Sequence, residues 1–124
     1  MSDTAFHRDR IIIFGGSPKT IDLLMLAVIR SDDVLLVGAH LEADVHRYAQ
    51  RFAVEHKTTF EDADIPTAAS ILVAHDNIAA ATRLAQQARA AGTPIYVADQ
   101  PLLSDFNILE FIERRQSTLR RMPS

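Results

Sequence analysis

The sequence predicts an α/β domain built on a doubly wound parallel sheet. Three observations carry this. The runs Ile11–Phe14, Val34–Val37, Ile71–Ala74 and Pro94–Val97 are apolar nearly throughout, as strands covered on both faces are. Segments of about 10–15 residues with helical periodicity lie between them, the rhythm of parallel strands joined by crossover helices. Right-handed crossovers then place helices on both sides of the sheet. The expected outcome is one three-layer domain over all 124 residues.

The elements follow in order. Ile11 to Phe14 forms the first strand and runs into Gly15 and Gly16. Serine is a favoured N-cap and proline suits the first helical position, so Ser17 and Pro18 should open a helix. Ile21, Leu24, Met25, Val28 and Ile29 recur at helical spacing and predict its buried stripe. The polar "SDD" at 31–33 breaks the helix, and Gly38 closes the second strand. Leu41, Val45, Tyr48, Ala49 and Phe52 mark a second amphipathic helix, with Glu42 in its first turn. "HKTTF" at 56–60 reads as a short, partly exposed strand and "EDADIP" as a polar connection. An alanine-rich helix is expected from Ile78 to Ala91, with Gly92 as a good residue to end it. The tail is expected to be helical over about 107–121, where its apolar residues offer a face for docking on the domain or for pairing into a homodimer.

Composition narrows the function. Cysteine is absent, which excludes disulfides, thiolate metal sites and a cysteine nucleophile and suits a cytoplasmic setting. The net charge of −3 argues against a general nucleic-acid binder. No apolar run approaches the roughly 20 residues of a membrane span, and the polar start "MSDTAFHRDR" reads as no signal peptide. In a doubly wound sheet, ligands bind beyond the carboxyl ends of the strands. That rule selects four loops: 15–20, 38–41, 75–78 and 99–101.

The first loop, "GGSPKT", is a partial match to the dinucleotide turn G-x-G-x-x-G/A. Glycine there permits a tight bend, close approach of a pyrophosphate and tight helix–strand packing. Gly15 holds the bend position, while Ser17 and Thr20 hold the second and third. Pro18 removes an amide donor and Lys19 adds a positive charge. A plain strand-to-helix turn fits this stretch as well as a Rossmann-type cofactor turn. The acidic residue that commonly grips an adenosine ribose at the end of the second strand is missing; Ala39 and His40 stand there.

At "IYVADQPLLSDFNI", residues 95–108, together with "RIIIFGG", "VLLVGAH" and "ILVAHDN", the chain resembles the N-terminal NAD-binding domain of siroheme synthases, the precorrin-2 dehydrogenase/sirohydrochlorin ferrochelatase family. Order and spacing hold over roughly residues 8 to 108, and Asp99, Pro101 and Asp105-Phe106 are the most specific piece. The resemblance implies a Rossmann-like fold and NAD as cofactor. Gly15, Gly16 and Ser17 would meet the pyrophosphate, Ala39 and His40 the adenosine ribose, and Ala74, His75 and Asp76 the nicotinamide side. It implies hydride removal from the tetrapyrrole precorrin-2 to give sirohydrochlorin, with ferrous iron inserted afterwards in the family. The aspartate matching Asp99 serves there in both steps. The departures are Ser17 for the third glycine of the family's run, His75-Asp76-Asn77 for its "TDD" and Ala81 for an asparagine. Family members also continue into a helical dimerisation and substrate domain.

Two functional classes therefore stand beside each other. One is a precorrin-2 dehydrogenase-type enzyme with Asp99 as acid/base. The other is a non-catalytic module that binds a nucleotide or tetrapyrrole without the substrate domain. His40, His75, Asp76 and Asp99 all fall at predicted strand ends, but none has ligand spacing on a helix, so no metal is assigned.

Overall fold

A computed structural model describes residues 10–74 and 77–106. The expected C-terminal helix over 107–121 lies outside the described residues. Five strands form one parallel sheet: β1 (Ile11–Phe14), β2 (Val34–Val37), β3 (Glu55–Lys57), β4 (Ser70–Val73) and β5 (Ile95–Val97), in the order β3-β2-β1-β4-β5. Three helices connect them: α1 (Lys19–Arg30), α2 (Ala43–Arg51) and α3 (Ile78–Ala91). Short 3-10 helices span Asp62–Thr67 and Pro101–Leu103.

The strand alternation sorts the core into two layers. Ile11, Ile13, Val34, Leu36 and Leu72 face α1 and α2 through Leu23, Leu24, Ala27, Val45 and Ala49. Ile12, Phe14, Leu35, Val37, Ile71 and Val73 face α3 through Ala81, Leu84, Ala85 and Ala88. The doubly wound prediction holds. Strand order reverses between β1 and β4, which makes that junction the switch point where such sheets open a crevice.

Local differences from the sequence reading have physical causes. Ser17 makes no capping hydrogen bond; Pro18 takes the N-cap position of α1. The buried side of α1 is Thr20, Leu23, Leu24 and Ala27, while Met25 and Ile29 are 45% and 65% exposed. The helix is apolar on almost every side, so two registers satisfy the same period, and packing selected the one led by the small residues. Phe52 is exposed too, lying 4.6 Å from the Tyr48 ring with the Arg51 guanidinium over it. Glu42 precedes α2 as its N-cap instead of entering the first turn. "EDADIP" folds into a 3-10 helix that buries Ile65, and β3 ends at Lys57 instead of running to Phe60.

The two edges of the sheet are finished differently. At the amino edge, Arg10 is buried and donates to Asp33 at 3.3 Å and Glu55 at 3.0 Å. At the carboxyl edge the ladder runs one residue beyond each strand. Gly15 N donates to Val37 O, Gly38 N to Lys57 O, Ala74 N to Phe14 O and Ala98 N to Val73 O, all at 2.8–3.0 Å. Each loop at that edge thus starts from a fixed point.

Candidate active site at the carboxyl edge

The first two loops pack backbone against backbone, which is why glycine is needed there. A Cβ on Gly16 would stand 2.1 Å from the His40 carbonyl oxygen, and one on Gly38 would stand 2.4 Å from that of Gly15. The Gly16 carbonyl accepts from Glu42 N at 2.9 Å, locking the turn after β1 to the entry of α2. Thr20, in place of the third glycine, is fully buried, and its hydroxyl takes the space a Gly15 side chain would need. The tight turn therefore survives the substitution.

These loops frame a cleft of about 720 Å³ on the α3 side of the switch point, within the range of roughly 300–1,000 Å³ usual for small-molecule sites. Gly15, Gly16, Ser17, Ala39, His40 and Ala74 all line it. The structure thus brings together every cofactor-contact residue expected from the sequence except His75 and Asp76, which lie outside the described residues. Phe14 and Phe60 form an apolar wall, edge to face at 4.8 Å. The hydroxyl oxygens of Ser17 and Thr20 are buried with no hydrogen-bond partner among the described residues. An orphaned hydroxyl in a protein costs about 1–3 kcal/mol.

Sequence reasoning missed two walls of this cleft. Thr58, Thr59 and Phe60 enter because β3 stops early and its following loop reaches the same rim. Ala80, Arg83, Leu84 and Gln87 enter from α3, beyond Asn77 of the expected loop 75–78, which also lines the cleft. Their spacing is helical, and a polar stripe of Asn77, Arg83 and Gln87 beside the apolar Ala81, Leu84 and Ala88 was the available signal. Asn77 also caps α3, its side chain accepting from Ala80 N at 3.1 Å.

Asp99 is not on the lining of the cleft. It occupies the third position of a turn closed by Gln100 N donating to Val97 O at 3.1 Å, with φ of +65°. That left-handed position favours glycine, and aspartate is among the few side chains that tolerate it. The carboxylate accepts from Lys19 Nζ at 3.2 Å, with the two side chains 76% and 60% exposed. The pair spans from the turn after β5 to the first turn of α1. Burial, with the Asp99 charge adding to it, pushes the neighbouring Tyr96 phenol above its ordinary value.

The "SDF" part of the motif builds that turn. Ser104 Oγ accepts from Val97 N at 2.8 Å and donates toward Gln100 O at 3.0 Å. Asp105 accepts from Ile95 N at 3.1 Å and returns its own N–H to Ile95 O at 2.7 Å. These residues cover the outer edge of β5, which would otherwise offer bare ladder groups.

The family model described as "Putative NAD(P)-binding" matches residues 5–109. The chain belongs to this NAD(P)-binding family. No curated protein matches the sequence significantly. Among solved structures, the fold is similar to that of a chain titled "SirC, precorrin-2 dehydrogenase", with a TM-score of 0.63 and 12% identity. The match covers 95% of this chain and 68% of that one. Both findings agree with the resemblance to the siroheme synthase NAD-binding domain. No described helix is long and apolar enough to cross a membrane, and no cluster of three metal-binding side chains forms among the described residues.

Proposed function

We propose that this protein binds a nicotinamide dinucleotide in the cleft and acts as a precorrin-2 dehydrogenase-type oxidoreductase, taking the tetrapyrrole precorrin-2 to sirohydrochlorin. The observation that carries the binding half is the convergence of Gly15, Gly16, Ser17, Ala39, His40 and Ala74 on one cleft at the switch point. The resemblance to siroheme synthases and the similarity to a precorrin-2 dehydrogenase support the reaction.

When bound, the dinucleotide supplies the hydride acceptor. The chain's residues would do the rest. Gly15 and Gly16 let the backbone approach a pyrophosphate, and the Ser17 hydroxyl, without a hydrogen-bond partner among the described residues, is the donor offered beside them. That donor offsets the amide lost at Pro18. Ala39 and His40 bound the adenosine ribose, and Ala74, with His75 and Asp76 following it in sequence, bounds the nicotinamide side. Dehydrogenation releases one proton for each hydride, and Asp99 is the carboxylate offered to take it. Lys19 positions that carboxylate through its ion pair.

One observation favours the second reading, a binding module without catalysis: Asp99 is highly exposed and lies off the cleft lining. A single assay separates the two. The protein is incubated anaerobically with precorrin-2 and dinucleotide, and sirohydrochlorin is followed by its absorbance. The enzyme reading predicts turnover that Asp99→Ala abolishes with dinucleotide affinity nearly intact. Binding without turnover leaves the module. No binding at millimolar dinucleotide removes both the enzyme and the cofactor site.

A further inference from the structure

We infer that His56 is a positioning residue of the cleft, holding the peptide between Gly38 and Ala39 so that the Ala39 N–H is presented to a bound dinucleotide, an inference that rests on reading the cleft as a dinucleotide site. His56 itself is not on the lining. Its ring Nε2 lies 2.8 Å from the Gly38 carbonyl oxygen. A carbonyl only accepts, so this nitrogen carries the proton and donates. The next residue of β3 takes the other polar group of Gly38, whose N–H donates to Lys57 O at 3.0 Å. Both hydrogen-bonding groups of Gly38 are thus tied to β3.

Strand register sets the direction of that bond. His56 stands beside Leu36 in the parallel pair of β2 and β3. Leu36 belongs to the layer under α1 and α2, so the imidazole reaches the loop from that side. The cleft lies on the other side, over Phe14, Val37 and Leu84 of the α3 layer. A trans peptide is planar, with its N–H directed opposite to its C=O, and no described peptide is cis. Holding the Gly38 carbonyl toward His56 therefore turns the Ala39 N–H toward the cleft that Ala39 lines. That N–H makes no hydrogen bond among the described residues. The flanking backbone is already fixed, by Glu42 N on Gly16 O at 2.9 Å and by the close approach of Gly38 to Gly15. The peptide after a glycine is the part left free to rotate. Without the imidazole only a fraction of molecules holds the donor in place, and apparent affinity falls by that fraction.

Calorimetric titration with NAD of the full chain, of His56→Leu and of His56→Gln tests the proposal and needs no turnover. Glutamine keeps an N–H donor at about the reach of Nε2, and leucine has none. His56→Leu is expected to bind about fivefold more weakly, with its urea midpoint little changed, since His56 is exposed on an edge strand. His56→Gln should bind within about twofold of the unaltered chain. Full affinity in His56→Leu overturns the role of His56 while leaving the dinucleotide site standing. A His56→Gln variant as weak as His56→Leu overturns the hydrogen bond to Gly38 as the cause. If the unaltered chain does not bind NAD at millimolar concentration, the reading of the cleft itself fails, and this inference with it.

Discussion

The amino and carboxyl edges of the sheet both carry polar residues, yet they treat them in opposite ways. At the amino edge a buried arginine meets two carboxylates, and its carbonyl accepts from Ala69 N at 2.7 Å. At the carboxyl edge two hydroxyls are buried without partners, an arginine stands unpaired among the described residues, and glycines clear the floor. Satisfied polar groups hold a fold together, whereas unsatisfied ones around a cavity are spare capacity for a ligand. The contrast separates structural from functional residues by their bonding.

Substitutions at the two edges should therefore have different signatures. The largest effect is expected at Gly16→Val, whose side chain would be driven into the His40 carbonyl. It should lower the unfolding free energy by about 3 kcal/mol and abolish dinucleotide binding, as read by urea denaturation and calorimetry. A variant that keeps both would mean that the two loops separate easily. Arg10→Met comes next, with a stability loss of about 2 kcal/mol because two partly exposed carboxylates lose their partner. Its dinucleotide affinity should stay within about twofold of the unaltered chain, since an edge that only holds the fold gives a thermodynamic effect below one binding unit. Loss of binding at full stability would break the contrast.

Ser104→Ala tests the intermediate case, a structural residue that holds a functional loop. It removes the hydroxyl joining Val97 to Gln100 and should cost about 1 kcal/mol. Turnover should fall more than dinucleotide affinity, because the loosened turn carries Asp99. Asp64 sharpens the comparison through pH. Burial pushes its carboxyl up, but the Glu61 N–H, Lys57 and Arg10 together outweigh that and hold it below the ordinary 3.8. A lowered folded-state value means that its contribution is present above the unfolded value and lost as pH falls through the folded one. Asp64→Asn should flatten the drop of the urea midpoint below about pH 4, with little change at pH 7 in that slope. Lys19→Ala should have the smallest effect on stability, within about 0.5 kcal/mol, since the pair is exposed. A fall in turnover without a fall in stability would then identify Lys19 as a positioning residue.

Much of this architecture was legible in the chain because local chemistry and global packing agree. The apolar runs at Ile11–Phe14 and Val34–Val37 leave no polar face, so they can only be interior strands. Gly92, with φ of +73°, ends α3 where the sequence put it. The glycine loops and the residues beyond β2 and β4 were found because a parallel sheet sends those loops to one rim. Three features were hidden. The apolar α1 carries no unique stripe. Pro66 and a run of acidic residues disguised a 3-10 helix that buries Ile65. The α3 wall of the cleft was easy to pass over, because the polar stripe of Arg83 and Gln87 looks like an ordinary wet face until Thr58–Phe60 lines the same cleft. The specific motif at 99–106 was read for Asp99, while the structure gives Ser104 and Asp105 the edge of β5.

The central claim is that the carboxyl edge, between the glycine loops and α3, is where a dinucleotide binds. Amide chemical-shift mapping during titration with NAD tests it most directly. The account predicts shifts concentrated at Gly15–Ser17, Gly38–His40, Thr58–Phe60 and the exposed face of α3 from Asn77 to Gln87, with the amides around Arg10 and Asp33 unmoved. Shifts centred on the Arg10 edge, or none at millimolar ligand, would contradict it.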